Sequence, residues 1–180
     1  LDMEYSIWNG TYQADGGSSA TARKMRGIST AIETNVVDAS GADFLADHLE
    51  DAMIKLGEAE TDGKSLMLFT RPFLINKLNK LFGNQPESYS IGGVNIVRIE
   101  TPFGTLNLVT NNRIASGEMV IVDFNLIRLE YTPQKNGQFI LVEELAKLGM
   151  GERDQISAIA GINYTDEIFH AKIKNLKMTR

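Results

Sequence analysis

The hydrophobic period of this chain changes once along its length, and that change limits what it can fold into. Between residues 41 and 83 apolar side chains recur at helical spacing; from residue 91 onward they alternate with polar ones at period two. Phe44, Leu45, Leu49, Ala52, Met53 and Leu56 form one stripe. They predict a helix over Gly41 to Leu56, with Ser40 as its cap, Asp43 three residues on and Gly57 as its stop. Asp47, Glu50, Asp51 and Lys55 take the watery face. The run "SLMLF", residues 65–69, has strand length and no polar alternation, so it is expected to be buried on both faces. It feeds a second helix with Thr70 as cap, Pro72 in the first turn, Leu74, Leu78 and Leu81 as the stripe, and Gly83 as the stop. Helices first and antiparallel strands later describe an α+β fold, not the strict alternation of a doubly wound sheet.

Residues 1–9, "LDMEYSIWN", read as the last turns of a helix stopped by Asn9-Gly10, and "QADGGSSAT", residues 13–21, as a flexible loop. Arg23 to Ile32 is expected to form a short helix. Strands are expected over Val94 to Thr101, Thr105 to Thr110, Glu118 to Asp123, Leu126 to Thr132 and Gln138 to Val142. A short charged helix, Val142 to Leu148, then ends at Gly149, and strands Ile156 to Tyr164 and Ile168 to Leu176 close the chain. The stretch "IETPFGTLNLV", residues 99–109, reads as a hairpin around a Pro-Phe-Gly bend whose only ionisable side chain is Glu100.

So tidy a framework carries little reactive equipment. The chain has no cysteine, which removes disulfides, thiolate nucleophiles and cysteine metal sites and fits synthesis in a reducing cytoplasm. Its 180 residues suffice for one full core, and a net charge of −5 argues against a general binder of nucleic acid or anionic membrane. The exception is "AKIKNLKMTR", where Lys172, Lys174, Lys177 and Arg180 suggest a solvated tail or an edge strand guarded by lysines. No apolar run approaches membrane-spanning length, and no signal-peptide pattern opens the sequence. It begins at Leu1, and is expected to be a fragment of a longer chain. The two histidines, His48 and His170, fall in different elements; Asp47 points about 100° away from His48 on a helix. His170, between Phe169 and Ala171, reads as a packed or surface residue. "DGGSSA", residues 15–20, and "GMGERD", residues 149–154, read as turns, since neither has the phosphate-loop pattern. Glu143 and Glu144 diverge as neighbours on a helix, unlike the convergent carboxylates of a glycosidase.

Read in order, several stretches resemble the major head (capsid) proteins of tailed bacteriophages, in the SU-ten-like subfamily with the Hong Kong 97 fold. In that family the end of a long spine helix carries an acidic, aromatic and apolar run with an Asn-Gly, as in "DMEYSIWNGTYQ". A Gly/Ala-rich loop and a Thr-Ala-Arg segment lead into a helix, as in "TARKMRGISTAIETNV". "IETPFGTLNLVTNNRI", "VIVDFNLIRLEYTP" and "VEELAKLGMGERDQISAIAGINYTDEIFHAKIKNL" follow, the closest matches being "EELAKLG" (Glu143 to Gly149) and "HAKI" (His170 to Ile173). The resemblance covers essentially all 180 residues, but lacks the family's N-terminal arm and extended loop. It implies a P-domain remnant at residues 1–22 (the end of the spine helix and its loop), an axial A-domain at 23–152, and returning P-domain strands at 153–180. It further implies no catalytic site and no cofactor. The expected function is a structural subunit of an icosahedral phage or prophage head, made in the bacterial host cytoplasm and residing in the virion. Its partners would be copies of itself in hexamers and pentamers, scaffolding, portal or decoration proteins, and packaged DNA indirectly, with no membrane. Arg113, in "NNRIASGE", and Glu143, Glu144 and Lys147 are the expected inter-subunit contacts, set against the alternative of solvated charges worth about 0–1 kcal/mol each. Without arm and loop the fragment is expected to be monomeric or weakly associated. A nanocompartment shell protein of the same fold, and a ligand-binding or hydrolytic α+β domain with a cleft of convergent polar groups, are the alternatives.

Overall fold

A computed structural model of the chain describes residues 2–14, 24–58, 66–82, 87–91, 94–101, 104–133, 137–145 and 154–179. Its centre is a strand that alternation alone could not place. In β2 (Leu66–Thr70), Leu66 and Leu68 enter one apolar cluster while Met67 and Phe69 pack against another, so both faces are covered. The same division runs through β6 (Met119–Asp123): Met119 and Ile121 face the first cluster, Val120 and Val122 the second. The continuous apolar runs at 65–69 and 119–122 thus arise from burial on two sides.

Seven strands form this sheet, in the order β1-β11-β6-β2-β5-β4-β3. The others are β1 (Val36–Asp38), β3 (Glu87–Ile91), β4 (Val94–Thr101), β5 (Gly104–Thr110) and β11 (Ala171–Lys174). β2 with β5 and β1 with β11 are parallel; the other pairs are antiparallel. The expected hairpin at 99–109 is present as β4 and β5, with Thr101 opposite Gly104.

Helices α3 (Ala46–Glu58) and α4 (Pro72–Leu81) cover one face through Leu49, Ala52, Met53, Leu56, Leu74 and Leu78. The other face is closed by α1 (Asp2–Asn9) and α2 (Ile28–Ala31), through Trp8, Ile28 and, just beyond α2, Ile32. Trp8 meets Phe69 at 4.7 Å between ring centroids, a tilted pair worth about 0.5–1.5 kcal/mol beyond its buried area. No helix among the described residues is long and apolar enough to cross a membrane.

Several local expectations are corrected. Helix α3 begins at Ala46, because Ser40 (φ 50°) and Gly41 (φ 82°) make a turn in which Ser40 N donates to Asp38 Oδ1 at 2.8 Å. The helix start is instead closed by His48, whose Nδ1 accepts from Leu45 N at 3.3 Å, the backward half of a capping box. Gly57 lies inside the helix, and Leu45 is exposed. Thr70 is no cap: it ends β2, buried, and its hydroxyl donates to Glu118 O at 2.8 Å, while Arg71 precedes α4. Gly83 and the loops at 15–20 and 149–153 lie outside the described residues.

The chain leaves this body after β6. A 3-10 turn at Phe124–Leu126 leads into β7 (Arg128–Tyr131), and the expected strand from 126 to 132 is shortened accordingly. Next come β8 (Ile140–Glu144), β9 (Asp154–Ala158) and β10 (Ala160–Asn163), the last two replacing the single strand expected over 156–164. β7 pairs with β10, and β8 with β9, as separate two-stranded sheets forming an arm. A second 3-10 turn, Glu167–Phe169, returns the chain to β11. That strand is interior, between β1 and β6, so its lysines do not guard an edge. Lys172 Nζ instead donates to Ser29 O at 2.6 Å, and burial pushes its pKa down against the pull of Glu118. The boundary expected at 152/153 falls between two strands that pair with each other, and β11, part of the expected returning segment, lies in the main sheet.

Candidate assembly surface

The arm gathers exposed apolar side chains on one face. In the β8–β9 hairpin Val142 stands opposite Ile156 and Ile140 opposite Ala158, so these four share a face. Ile140 is 56% exposed, Val142 60% and Ile156 73%, and the two strands pack chiefly on each other. On the opposite face Leu141, Glu143, Gln155 and Ser157 alternate, with Leu141 and Ser157 half-buried. Isolated exposed apolar residues are ordinary, but three large ones on one face of a two-stranded ribbon form a patch of the kind that marks a protein contact.

The patch continues toward the body. Phe139 is exposed and lies 6.1 Å from Tyr131 between centroids, so the two ribbons meet there, and Thr132 N donates to Ile159 O at 2.9 Å, extending the β7–β10 pairing. Along β7, Leu129 and Tyr131 share a face with Ile162 and Ala160 of β10. Ile162 and Ile127 pack on the Trp8 cluster, so an apolar strip runs from the core along the arm.

The charged residues chosen from sequence are not brought together. Glu143 and Glu144 lie in β8, on opposite faces, and the helix expected over 142–148 is corrected to a strand through Glu144 because pairing with β9 overrides the local helical preference of Glu, Leu and Ala. Lys147 lies outside the described residues. Arg113 sits at the far end of the body, in the turn between β5 and β6. Its Nε is 3.7 Å from Glu4 Oε2 of α1, so this charge faces its own chain. Asn9, read from sequence only as a helix stop, holds the same turn: its Nδ2 donates to Arg113 O at 2.5 Å and its Oδ1 accepts from Ala115 N at 3.1 Å. His170 is fully buried beneath the arm. Hairpin exposure was not legible in the sequence, since alternation tells which residues share a face and not whether anything covers it.

Solved shells share this fold. The chain aligns with the holo-SrpI encapsulin complex of Synechococcus elongatus at a TM-score of 0.64 and 14% identity, over 86% of this chain and 58% of that one. It aligns with the procapsid of satellite phage P4, a structure that includes the size determination (Sid) protein, at 0.58 and 12%, over 98% and 59%. The chain therefore spans less than two thirds of either relative's length. No curated protein matches it by sequence. The fold is that of the Hong Kong 97-like shell proteins. Within that class the chain belongs to the SU10 major capsid protein family, whose sequence profile matches residues 1–177.

Proposed function

We propose that this chain is a structural subunit of an icosahedral phage or prophage head, assembling with copies of itself into hexamers and pentamers around packaged DNA. Family membership supports the reading, and the observation that carries it to this chain's own residues is the uncovered apolar face of Ile140, Val142 and Ile156 on a ribbon outside the core. A shell gains stability by repeating a modest contact many times under closed symmetry, and requires geometry more than reactive groups. In this reading the body with its seven-stranded sheet is the axial domain and β7 to β10 form the arm that meets neighbours. Scaffolding, portal and decoration proteins are the further partners, the virion is its location and the host cytoplasm its place of synthesis; catalysis and a cofactor have no part.

The test is electron microscopy of the complete gene product expressed alone and then with its neighbouring head genes. Closed shells, tubes or capsomer rings are expected. Shells filled with a protein cargo and never with nucleic acid would favour the nanocompartment reading, which the encapsulin alignment keeps in view. A uniformly small species under both conditions would overturn the shell reading.

A further inference from the structure

The chain enters and leaves the arm through two segments that meet in a neck, and a histidine sits between them. The outgoing chain passes Asp123 to Leu126 and the returning chain passes Asn163 to His170. His170 is fully buried, and its ring spans the neck: Nδ1 lies 3.2 Å from Asp123 N, and Nε2 3.0 Å from Tyr164 O. Both partners are backbone groups with fixed roles. The Asp123 N–H can only donate, so Nδ1 carries a lone pair; the Tyr164 carbonyl can only accept, so Nε2 carries the proton. The geometry therefore selects one neutral tautomer. A second proton on Nδ1 would set one N–H against another.

The body side of His170 is fixed independently. Asn35 Nδ2 donates to Ile168 O at 2.6 Å and to His170 O at 3.3 Å, and Lys172 N donates to Asn35 O at 2.9 Å. Across the neck Thr165 Oγ1 also donates to Leu126 O at 2.9 Å, from a residue held at φ 58°, and Ile127 and Ile162 pack on the Trp8 cluster. Acids act on the ring: Asp123 from the end of β6, and Asp166 and Glu167 from the returning turn. Each already holds backbone. Asp123 accepts from Asn125 N, Asp166 from Ile168 N, and Glu167 from the amides of Glu33 and Thr34. A charged imidazole would thus find carboxylates within the same neck and keep its Nε2–H bond to the Tyr164 carbonyl, at the cost of the Asp123 N–H bond that only the neutral ring can accept.

We propose that His170 is a pH-sensitive pin that fixes the direction of the β7–β10 arm when neutral and frees it when protonated. Burial holds the imidazole's pKa below its ordinary 6.5, against the pull of the Tyr164 carbonyl and the nearby acids. The pin is thus set at neutral pH, and mild acid withdraws it. The proposal stands on the geometry of the neck and does not require the shell reading. If that reading also holds, the pin governs the angle at which each subunit presents its hairpin.

Because the chain has no cysteine, spin labels can be placed at will on an exposed body site, Lys80→Cys, and an exposed arm site, Gln155→Cys. Distances between them are then measured by pulsed electron spin resonance at about pH 7.5 and about pH 5, on either side of the histidine range. One narrow population is expected at the higher pH and its loss to a broad one at the lower. His170→Gln, which keeps one acceptor and one donor but cannot take the proton, is expected to stay narrow at both. An unchanged wild-type distribution, or equal broadening in the variant, would overturn the pin. Should the variant not fold, imidazole nitrogen NMR of the wild-type chain decides. The Nε2–H tautomer is expected at neutral pH, with broadening that follows the His170 titration; the opposite tautomer, or titration with no broadening, rejects the proposal.

Discussion

Asn9 and Arg113 show how differently two polar residues that meet at one turn can contribute. The Arg113 ion pair with Glu4 is exposed and long, at 3.7 Å, so Arg113→Ala is expected to cost only about 0–1 kcal/mol in urea unfolding. Asn9 satisfies a carbonyl and an amide of the turn at once, from the end of a different element. Asn9→Ala leaves both without that partner and is expected to cost about 1–3 kcal/mol, the larger loss of the two. A reversed order would show that the ion pair, not the amide clamp, holds α1 to the turn. Gly27 acts beside it through absence of a side chain. A Cβ there would lie 2.5 Å from Gly10 N and 2.7 Å from Trp8 O, where Gly27 N donates to Gly10 O at 2.8 Å. Gly27→Ala is expected to destabilise by about 1–3 kcal/mol, since backbone cannot yield as a side chain would. Gly161→Ala, with open space at its Cβ, is expected to change the unfolding midpoint little. The sequence marked Asn9-Gly10 as a helix stop, which it is, but a contact across about a hundred residues of chain leaves no local trace.

At the scale of elements, the β8–β9 hairpin makes a prediction that separates folding from assembly. Ile156 is 73% exposed, so Ile156→Glu removes at most a cross-strand contact with Val142, and the unfolding free energy is expected to move by about 0.5 kcal/mol or less. In the complete gene product the same change extends the Glu144–Asp154 carboxylates into the apolar part of that face and is expected to abolish closed shells in electron micrographs. Glu143→Lys, on the other face, is expected to have the smaller effect on assembly. Normal shells from Ile156→Glu would remove this face from the contact. The elements that sequence read well are those whose local pattern and tertiary setting agree: α4 with Pro72 in its first turn, the β4–β5 hairpin, and the doubly buried β2. The misread ones are those where a distant partner decided. "VEELAKL" favours a helix by composition, and its first part becomes a strand only through β9. β1 is three residues long and exists because β11, far along the chain, runs beside it. Interior placement of β11 was hidden for the same reason, because its lysines suggest an edge until the sheet order is known.

For the whole molecule, the titrating groups predict that acid acts in two stages. His170 has a folded pKa below its ordinary 6.5, so the unfolded chain takes up its proton first, and the stability due to neutral His170 is present above that value and lost as pH falls beneath it. The carboxylates act lower. In Glu167 burial alone would raise the pKa, but the Thr34 hydroxyl and the amides of Glu33 and Thr34 together bring it below the ordinary 4.5. Asp38 is held below 3.8 chiefly by the Asn175 amide, and Asp43 chiefly by Lys77. For each of these the folded pKa is depressed, so the stabilisation is present above the unfolded value and is lost as pH falls through the folded one. Because Asp38 and Asp43 lie at the surface and Glu167 spans two segments of the fold, the second stage is expected to come mainly from Glu167 and to be accompanied by release of the 33–34 turn. Urea midpoints measured from neutral pH downward are therefore expected to begin falling below about pH 6.5 and to steepen again in the carboxylate range. His170→Gln removes the first decline and leaves the second, whereas Glu167→Gln weakens the second and, by taking away an acid that supports the protonated ring, deepens the first. A single decline confined to the carboxylate range in the wild-type chain would mean that His170 titrates alike in the folded and unfolded states, and the neck would then owe its rigidity to Thr165 and Asn35 instead.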